Sequence, residues 1–196
     1  MRFSKEDFED VYATAQMAHI GQQRRSGAPG FSHPSAVRNL ARKYYPNDQQ
    51  AQLAALLHDT LEDAPKLGTV DSTDEMRGWI RASVSSPGAA EKILSTVEML
   101  THAPGTRYDV YVSSLLNDEL ALRVKLVDML HNLRTGPSSS QAQKYKNAIE
   151  VLEDLAGGQP AGISQTHWRD LKLALEAVVE NKKAQLRLLI REIINQ

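Results

Sequence analysis

The apolar residues of this chain recur every three or four positions over most of its length, and this helical spacing most limits the folds open to it. No stretch alternates polar and apolar residues in the way that a half-buried strand requires. Clusters of glycine and proline separate the periodic segments, as at 27–30, 85–88, 136–137 and 157–162. The sequence therefore predicts an all-α fold, a bundle of helices joined by loops.

Composition narrows the functions that such a bundle can have. A length of 196 residues suits one domain with a sizeable core, and the formal net charge of −1 gives no global field that favours nucleic acid or an anionic membrane. The chain has no cysteine, so disulfide and thiolate chemistry are excluded and any metal must be held by His, Asp or Glu. No apolar run approaches the roughly 20 residues that span a bilayer. We expect a cytoplasmic protein.

Caps and breakers place the helices along the chain. Predicted helices begin near Ser4, Pro34, Ala51, Asp74, Ala89 and Tyr108, after a cap at Asn117 or Asp118, before Lys144 and near Thr166. The helix from Ala51 is expected to continue through Asp63 until Pro65 closes it. The last helix, about 166–194, is amphipathic and is expected to pack on the bundle or on a second subunit. Its apolar positions are Trp168, Leu171, Leu175, Val178, Leu186, Leu189, Ile190 and Ile193.

The helix predicted over 51–63 turns polar at its end. His58 precedes Glu62 by four positions, and Asp59 precedes Asp63 by four, so one helix would carry two stacked pairs on adjoining faces. Three carboxylates and an imidazole this close together repel one another unless a cation lies among them. A metal site and a solvated helix end are the two interpretations of this segment.

Two further residues favour the metal site. Asp128 falls on the apolar stripe of the helix over 119–134, where a carboxylate is costly unless it is paired or bound to a metal. His33 precedes a proline at a helix start, where a cap or surface role is the alternative. Together with His58 and Asp59 they offer two imidazoles and two carboxylates, a set that suits Mn, Fe, Co, Ni or Zn. Such a site lowers the pKa of a bound water and clamps a phosphoryl oxygen, which is chemistry for hydrolysing phosphate esters.

The order His…His-Asp…Asp resembles that of the HD phosphohydrolase superfamily, and the flanking residues are similar to the hydrolase domain of the RelA/SpoT alarmone enzymes. The similar stretches are 18–29 with His33-Pro34, 54–63 with its HDxxED pattern, 124–135, and Lys144-Tyr145. They span about residues 5–155. We therefore expect an HD-type metal-dependent hydrolase domain over 1–155, followed by a linker and C-terminal helix over 156–196. Because residues 156–196 do not resemble a synthetase domain, we expect the chain to be most similar to the stand-alone small alarmone hydrolases.

The resemblance implies a 3′-pyrophosphohydrolase that converts ppGpp or pppGpp into GDP or GTP and pyrophosphate, usually with Mn²⁺. It implies that the metal is held by His33, His58, Asp59 and Asp128, and that Glu62 and Asp63 position or activate the attacking water. The implied substrate contacts are Arg24, Arg25, Ser26, Asn132, Lys144 and Tyr145. Lys125 and Arg134 would add positive charge, or lie on the helix surface.

Departures from the family pattern leave the base of the substrate open. Gly30-Phe31 stands where the family usually has Tyr-Ile or a similar pair, and His102 stands where a lysine is common. The adenine alarmone (p)ppApp is therefore a second candidate substrate. The competing functions are another HD nucleotide phosphohydrolase, such as a 5′-nucleotidase, and a catalytically inactive alarmone sensor. Expected partners are a small nucleotide and, as an alternative for the last helix, a second copy of the chain; neither nucleic acid nor a membrane is expected.

Overall fold

A computed structural model describes residues 2–194, without the side chains of 185, 186 and 188–194. Its helices are α1 (Lys5–Ala18), α2 (Ser32–Tyr44), α3 (Gln49–Leu57), α4 (Thr60–Leu67), α5 (Thr73–Ala82), α6 (Pro87–Leu100), α7 (Tyr108–Ser114), a 3₁₀ turn (Leu115–Asn117), α8 (Glu119–Arg134), α9 (Ser139–Ala156) and α10 (Gln165–Ile194). Within the described residues, extended pairing is limited to one bridge between Gln23 and Pro29. The all-α prediction is confirmed.

Helices α3 and α8 lie at the centre of the bundle. Every residue from 51 to 58 is buried, so α3 has neighbours on all sides. Its alanines at 51, 54 and 55 join the core formed with α2 and α8, whereas its leucines at 53, 56 and 57 join a second core with α1, α5 and α6. The side chain of Asp118 accepts a hydrogen bond from the Ala121 amide and caps α8, as one of the two predicted caps. Side chains at the end of α3 and along α8 are therefore held on a rigid frame.

The prediction of one continuous helix over 51–63 is wrong. Helix α3 ends at Leu57, and α4 begins at Thr60. The Thr60 hydroxyl donates to the Leu57 carbonyl at 2.7 Å, and His58 Nδ1 lies 2.8 Å from the Ala55 carbonyl. These side chains take up carbonyls at the end of α3 in place of backbone N–H groups, and such competition ends a helix. His58 and Asp59 consequently lie in the junction, and they do not stack on Glu62 and Asp63 along one helix.

The prediction that Pro65 closes this segment is also wrong. Pro65 lies inside α4, which continues to Leu67 and ends at Gly68. A proline in a helix removes one N–H donor, and the helix tolerates that loss here. Gly68 has a φ of +71°, and the Thr69 amide donates to the Ala64 carbonyl. A left-handed glycine with this bond is the usual helix stop, so Gly68 is the residue that ends α4.

Helix α10 packs on the bundle through its first half. Trp168, Leu171 and Leu175 are buried in the core that α2, α8 and α9 share. The apolar positions proposed at Leu186, Leu189, Ile190 and Ile193 lie outside the described side chains. The boundary at residue 155 and the role of the segment in a dimer stay predictions. None of the helices in the described part is long and apolar enough to cross a membrane.

Leu126→Ala should lower the free energy of unfolding by about 2–5 kcal/mol, because truncating a buried leucine loses its transfer energy and leaves a cavity. Leu126 is fully buried on α8, in the core that also supports Asp128. Urea unfolding followed by circular dichroism measures the change. The matched control is Leu173→Ala, since Leu173 is 54% exposed and its truncation should change the free energy by less than about 0.5 kcal/mol. Equal losses in the two variants would contradict the packing of α8 described above.

Candidate metal centre and adjoining cavity

His58 is placed for metal binding by the junction between α3 and α4. Its side chain is 2% exposed, and its Nδ1 faces the Ala55 carbonyl at 2.8 Å. Since a carbonyl oxygen only accepts, Nδ1 carries the hydrogen, and the lone pair of the neutral ring lies on Nε2. That Nε2 atom is 3.1 Å from Asp59 Oδ2. A backbone carbonyl that fixes the tautomer in this way is typical of a metal-ligating histidine.

His33 reaches the same point from the start of α2. Its Nε2 lies 3.2 Å from His58 Nε2 and 3.5 Å from Asp59 Oδ2. The other ring nitrogen, Nδ1, is 2.8 Å from Nδ1 of His131. The prediction that placed His33 at a helix entry is confirmed, whereas a cap or surface role does not fit a side chain that is 3% exposed.

Asp128 adds a second carboxylate from α8. Its Oδ1 lies 3.1 Å from His33 Nε2 and 3.7 Å from His58 Nε2, and its side chain is 6% exposed. Its Oδ2 pairs with Lys125 Nζ at 3.1 Å, and Oδ1 accepts a hydrogen bond from Asn132 Nδ2 at 2.6 Å. The carboxylate is therefore paired with Lys125 and also directed at the histidines. Both alternatives from the sequence, an ion pair and a metal, are compatible with this position.

The donor atoms have the spacing of a coordination shell. One ligand atom from each of His33, His58 and Asp59 lies within 4.8 Å of the others, and this cluster could bind a metal ion. Ligands bound at about 2.0–2.2 Å in a tetrahedral or octahedral shell are about 3.0–3.5 Å apart, which is close to the separations found here. The mixed nitrogen and oxygen set suits several divalent transition metals, and the spacing does not choose among them.

The local electrostatics favour a positive charge at this point. Burial by itself lowers the pKa of His58, but the carboxylates of Asp59 and Asp128 outweigh it and raise the pKa to about 10. Burial also opposes ionisation of Asp128, yet the ammonium of Lys125 and the two imidazoles hold the pKa of that carboxyl well below its usual range. A divalent cation between the carboxylates would satisfy the same field.

A cavity of about 610 Å³ opens beside the cluster. Its lining includes His33, Asp59, Asp128, Asn132, Arg24, Arg25 and Ser26, together with Gln22, His131 and Gln141. The loop that carries the arginines is tight: the Arg24 amide donates to the Ala28 carbonyl, and the Gly27 amide donates to the Arg24 carbonyl. Arg24 Nη2 also donates to Asn132 Oδ1 at 3.2 Å. The cavity thus joins a cluster suited to a cation with two guanidinium groups suited to phosphate.

Glu62 and Asp63 lie in the first turn of α4, next to this cluster in sequence but with separate partners. Glu62 Oε1 accepts from the backbone amide of His102 at 2.6 Å. Asp63 Oδ2 accepts from Gln22 Nε2 at 2.7 Å, and Gln22 lines the cavity. The two carboxylates are therefore anchored to different loops, and their role as acid and base stays a prediction.

The structure does not bring Lys144 to the main cavity. Lys144 is exposed and lines a different cavity of about 320 Å³ with His102 and Tyr108. Tyr145 is buried, and its hydroxyl accepts a hydrogen bond from Gln141, one of the residues that line the main cavity. Tyr145 is thus one side chain removed from that space, and the predicted substrate contacts of both residues stay predictions.

Comparison with known proteins decides the family. No family model matches the chain. The chain is 31% identical over 170 residues to the bifunctional (p)ppGpp synthase/hydrolase RelA of Mycobacterium tuberculosis, a match that covers 84% of this chain and 22% of that protein. It is 30% identical over 141 residues to the guanosine-3′,5′-bis(diphosphate) 3′-pyrophosphohydrolase of Haemophilus influenzae, covering 71% of this chain and 20% of that protein. The chain contains a RelA/SpoT-type domain.

Other relatives of this RelA/SpoT-type domain carry a different name. The probable GTP pyrophosphokinase of Mycobacterium leprae is 31% identical over 170 residues, and the match covers 84% of this chain and 21% of that protein. The chain spans about a fifth of the length of the curated relatives it matches. The names of these relatives include both synthase and hydrolase activities.

The positions or contacts of two residues beside the candidate metal site of the RelA/SpoT-type domain were not predicted correctly from sequence. The expectation that Lys125 lies on the helix surface is wrong, because its side chain is 12% exposed and bonds to Asp128, whereas its added positive charge for the substrate stays a prediction. His131 was not assigned a role, although it lies on the apolar stripe of α8 and contacts His33. A histidine on a core-facing stripe next to a buried aspartate is the signal that could have found it. Arg134 instead pairs with Asp170 of α10, at 3.4 Å.

Proposed function

We propose that this RelA/SpoT-type domain is a metal-dependent 3′-pyrophosphohydrolase of alarmones, converting ppGpp or pppGpp into GDP or GTP and pyrophosphate. One observation carries the proposal: His33, His58, Asp59 and Asp128 converge at the edge of an arginine-lined cavity. Two imidazoles and two carboxylates match a catalytic divalent cation, and the arginines match a substrate that carries several phosphates. The 3′-pyrophosphohydrolase name of one relative supports this activity.

The metal that we propose is Mn²⁺, held by these four side chains. When bound, it would lower the pKa of a water and offset charge on a phosphoryl oxygen. The protein orients two of these ligands: the Ala55 carbonyl accepts from His58 Nδ1 and so presents Nε2 to the metal, and Lys125 holds Asp128 Oδ2 so that Oδ1 faces the histidines. These contacts fix ligand orientation before any ion arrives, which raises metal affinity.

We assign proton handling to Glu62 and Asp63. The products require water to add to the phosphorus next to the 3′ oxygen, while that oxygen leaves and takes a proton. The His102 amide holds Glu62 Oε1, so Oε2 is the atom that can accept or return a proton. Gln22 holds Asp63 Oδ2 and leaves Oδ1 for the same purpose. Two positioned carboxylates can serve as base and acid in turn.

The nucleotide is assigned to the cavity beside the metal cluster. Arg24 would stack on the purine, because a guanidinium plane packs well on an aromatic ring. Arg25 and Ser26 would contact the base or a phosphate, and Asn132 the sugar. Lys144 would act from the adjoining surface, and the buried Tyr145 would act on the cavity through Gln141. Guanine and adenine both stack, so (p)ppApp is a second substrate in this proposal.

Arg24→Ala should raise the KM for ppGpp by about 10-fold, since base stacking contributes about 1–3 kcal/mol. The kcat should change by less than about twofold, because the residue binds the nucleotide and does not contact the reacting phosphorus. Steady-state kinetics with Mn²⁺ at saturation measures both constants. Arg42→Ala removes an exposed arginine of α2 as the control. An unchanged KM would rule out purine stacking by Arg24.

Turnover of ppGpp and ppApp side by side, with and without Mn²⁺, tests the proposed function. We expect pyrophosphate and a nucleoside 5′-diphosphate, formed only with the metal. Orthophosphate released from nucleoside monophosphates would instead identify a 5′-nucleotidase. Binding of ppGpp without turnover would identify a sensor, and formation of ppGpp from GTP and ATP would identify a synthase. We propose that the reaction takes place in the cytoplasm.

A further inference from the structure

Gln22 lies between a buried histidine and the proposed acid/base residue Asp63. Its Oε1 is 2.9 Å from His19 Nδ1, and its Nε2 donates to Asp63 Oδ2 at 2.7 Å. Because an amide oxygen only accepts, His19 Nδ1 must carry the hydrogen. The amide group is then oriented with its NH₂ towards the carboxylate. The orientation of Gln22 is therefore set by hydrogen bonds at both ends.

His19 is suited to hold this orientation permanently. It is 3% exposed, and burial lowers its pKa, so the ring stays neutral. Its Nε2 is buried and has no hydrogen-bond partner among the described residues. With the hydrogen on Nδ1, the unpartnered atom is a lone pair, which is the less demanding of the two tautomers for an apolar site. The opposite tautomer would leave an N–H buried without an acceptor and would lose the bond to Gln22.

Gly30 is a third contact of Gln22, besides His19 and Asp63. The Gly30 amide donates to the Gln22 carbonyl at 2.7 Å. A Cβ at position 30 would lie 2.2 Å from Gln22 Oε1 and 2.5 Å from Gln22 Cβ, which is far inside van der Waals contact. The side chain of Gln22 thus packs directly on the Cα of Gly30. At position 30, which departs from the family pattern, the side chain of Gln22 occupies the space that a Cβ would need.

We propose that Gln22 is a positioning residue for Asp63, holding Oδ2 so that Oδ1 faces the water that is to be deprotonated or the leaving oxygen. The inference rests on the proposed function, in which Asp63 handles protons. Among the side chains that the structure describes, Gln22 is the one close donor to Asp63 Oδ2, since His19 Nδ1 is 3.9 Å away. Without such a donor, the Asp63 carboxylate can exchange between rotamers. Gln22 therefore acts on the reaction through Asp63 and has no direct part in binding the metal.

Gln22→Met tests the proposal, because methionine has a similar length and neither donates nor accepts comparably. We expect kcat for ppGpp to fall by about 10- to 100-fold, as a misplaced catalytic group does, with KM and Mn²⁺ content within about twofold of the wild type. In an Asp63→Asn background, Gln22→Met should cause no further loss of kcat, since both substitutions impair the same function, proton handling by Asp63. The exposed residue Gln16 of α1 gives the control Gln16→Met.

Gly30→Ala is a second variant that should disturb the contact between Gln22 and Asp63, and it leaves the residue Gln22 unchanged. Its methyl group would overlap Gln22 Oε1 and Cβ, so we expect the Gln22 amide to shift and its bond to Asp63 to weaken. The variant should then reproduce the loss of kcat, and it should have no further effect in Asp63→Asn. Thermal unfolding shows whether Gln22→Met is folded. If it is not, Gly30→Ala tests the positioning role in its place. Additive losses in the Asp63→Asn background, or a rise in KM alone, would overturn the positioning role. A wild-type chain that releases no pyrophosphate would overturn the proposed function itself, before any variant is compared.

Discussion

Asp128→Asn should reduce Mn²⁺-dependent turnover of ppGpp by at least about 1,000-fold, because the site loses one of two anionic ligands that a hard divalent cation prefers. Asp128 Oδ1 lies 3.1 Å from His33 Nε2 and 3.7 Å from His58 Nε2, close enough for the three atoms to bind one ion. Asparagine keeps the shape of the side chain and removes its charge. The loss should appear as weaker Mn²⁺ binding in titration calorimetry as well as in the rate.

The fold of this variant has to be measured together with its activity. Lys125 loses its charged partner in Asp128→Asn, and an uncompensated buried charge costs about 3–5 kcal/mol. Asp59→Asn is the companion variant, because Asp59 is about a third exposed and is not paired with Lys125. Asp154→Asn, at an exposed position of α9, is the control for loss of a carboxylate. Full turnover with unchanged Mn²⁺ binding in Asp128→Asn would exclude Asp128 from the metal site.

Glu62→Gln should lower kcat by about 100- to 10,000-fold, the usual contribution of a positioned general acid or base. Glutamine keeps an oxygen that can accept the bond from the His102 amide, so the local structure is preserved. The NH₂ group of glutamine, which replaces Oε2, cannot take up a proton. The KM for ppGpp and the Mn²⁺ content should remain within about twofold, because the carboxylate is assigned to the transition state.

Single-turnover kinetics at saturating ppGpp and Mn²⁺ would separate this chemical effect from product release. Glu176→Gln, at an exposed position of α10, controls for loss of one negative charge. Circular dichroism should give the same helix content for all three proteins. A variant that keeps its rate but binds Mn²⁺ weakly would place Glu62 on the metal, contrary to the assignment.

The helical architecture was largely predictable from local pattern. Periods of three to four residues depend only on the chain, and caps such as Ser4 and Asp118 act within one turn of their helix. The junction after Leu57 was not predictable in this way, because apolar spacing continues across it. Side-chain hydrogen bonds from His58 and Thr60 compete with the backbone there, and pattern does not rank that competition.

In the candidate site, too, some properties were predictable from the sequence and others depend on the tertiary structure. By itself, the sequence determined which residue types are available: histidine and carboxylate for a cation, arginine for phosphates, and no cysteine. It also supplied the order of motifs that resembles the RelA/SpoT hydrolases. These properties need no knowledge of which segments touch.

Only the tertiary structure decided which of these residues meet. It brought His33 within 3.1 Å of Asp128, which is 95 positions later in the chain, and left Lys144 on a different cavity. It also turned Lys125 inward onto Asp128 and set Gln22 against Asp63. The physical reason is that helix period gives each side chain a face, whereas the packing of α3 and α8 at the centre of the bundle sets what that face meets.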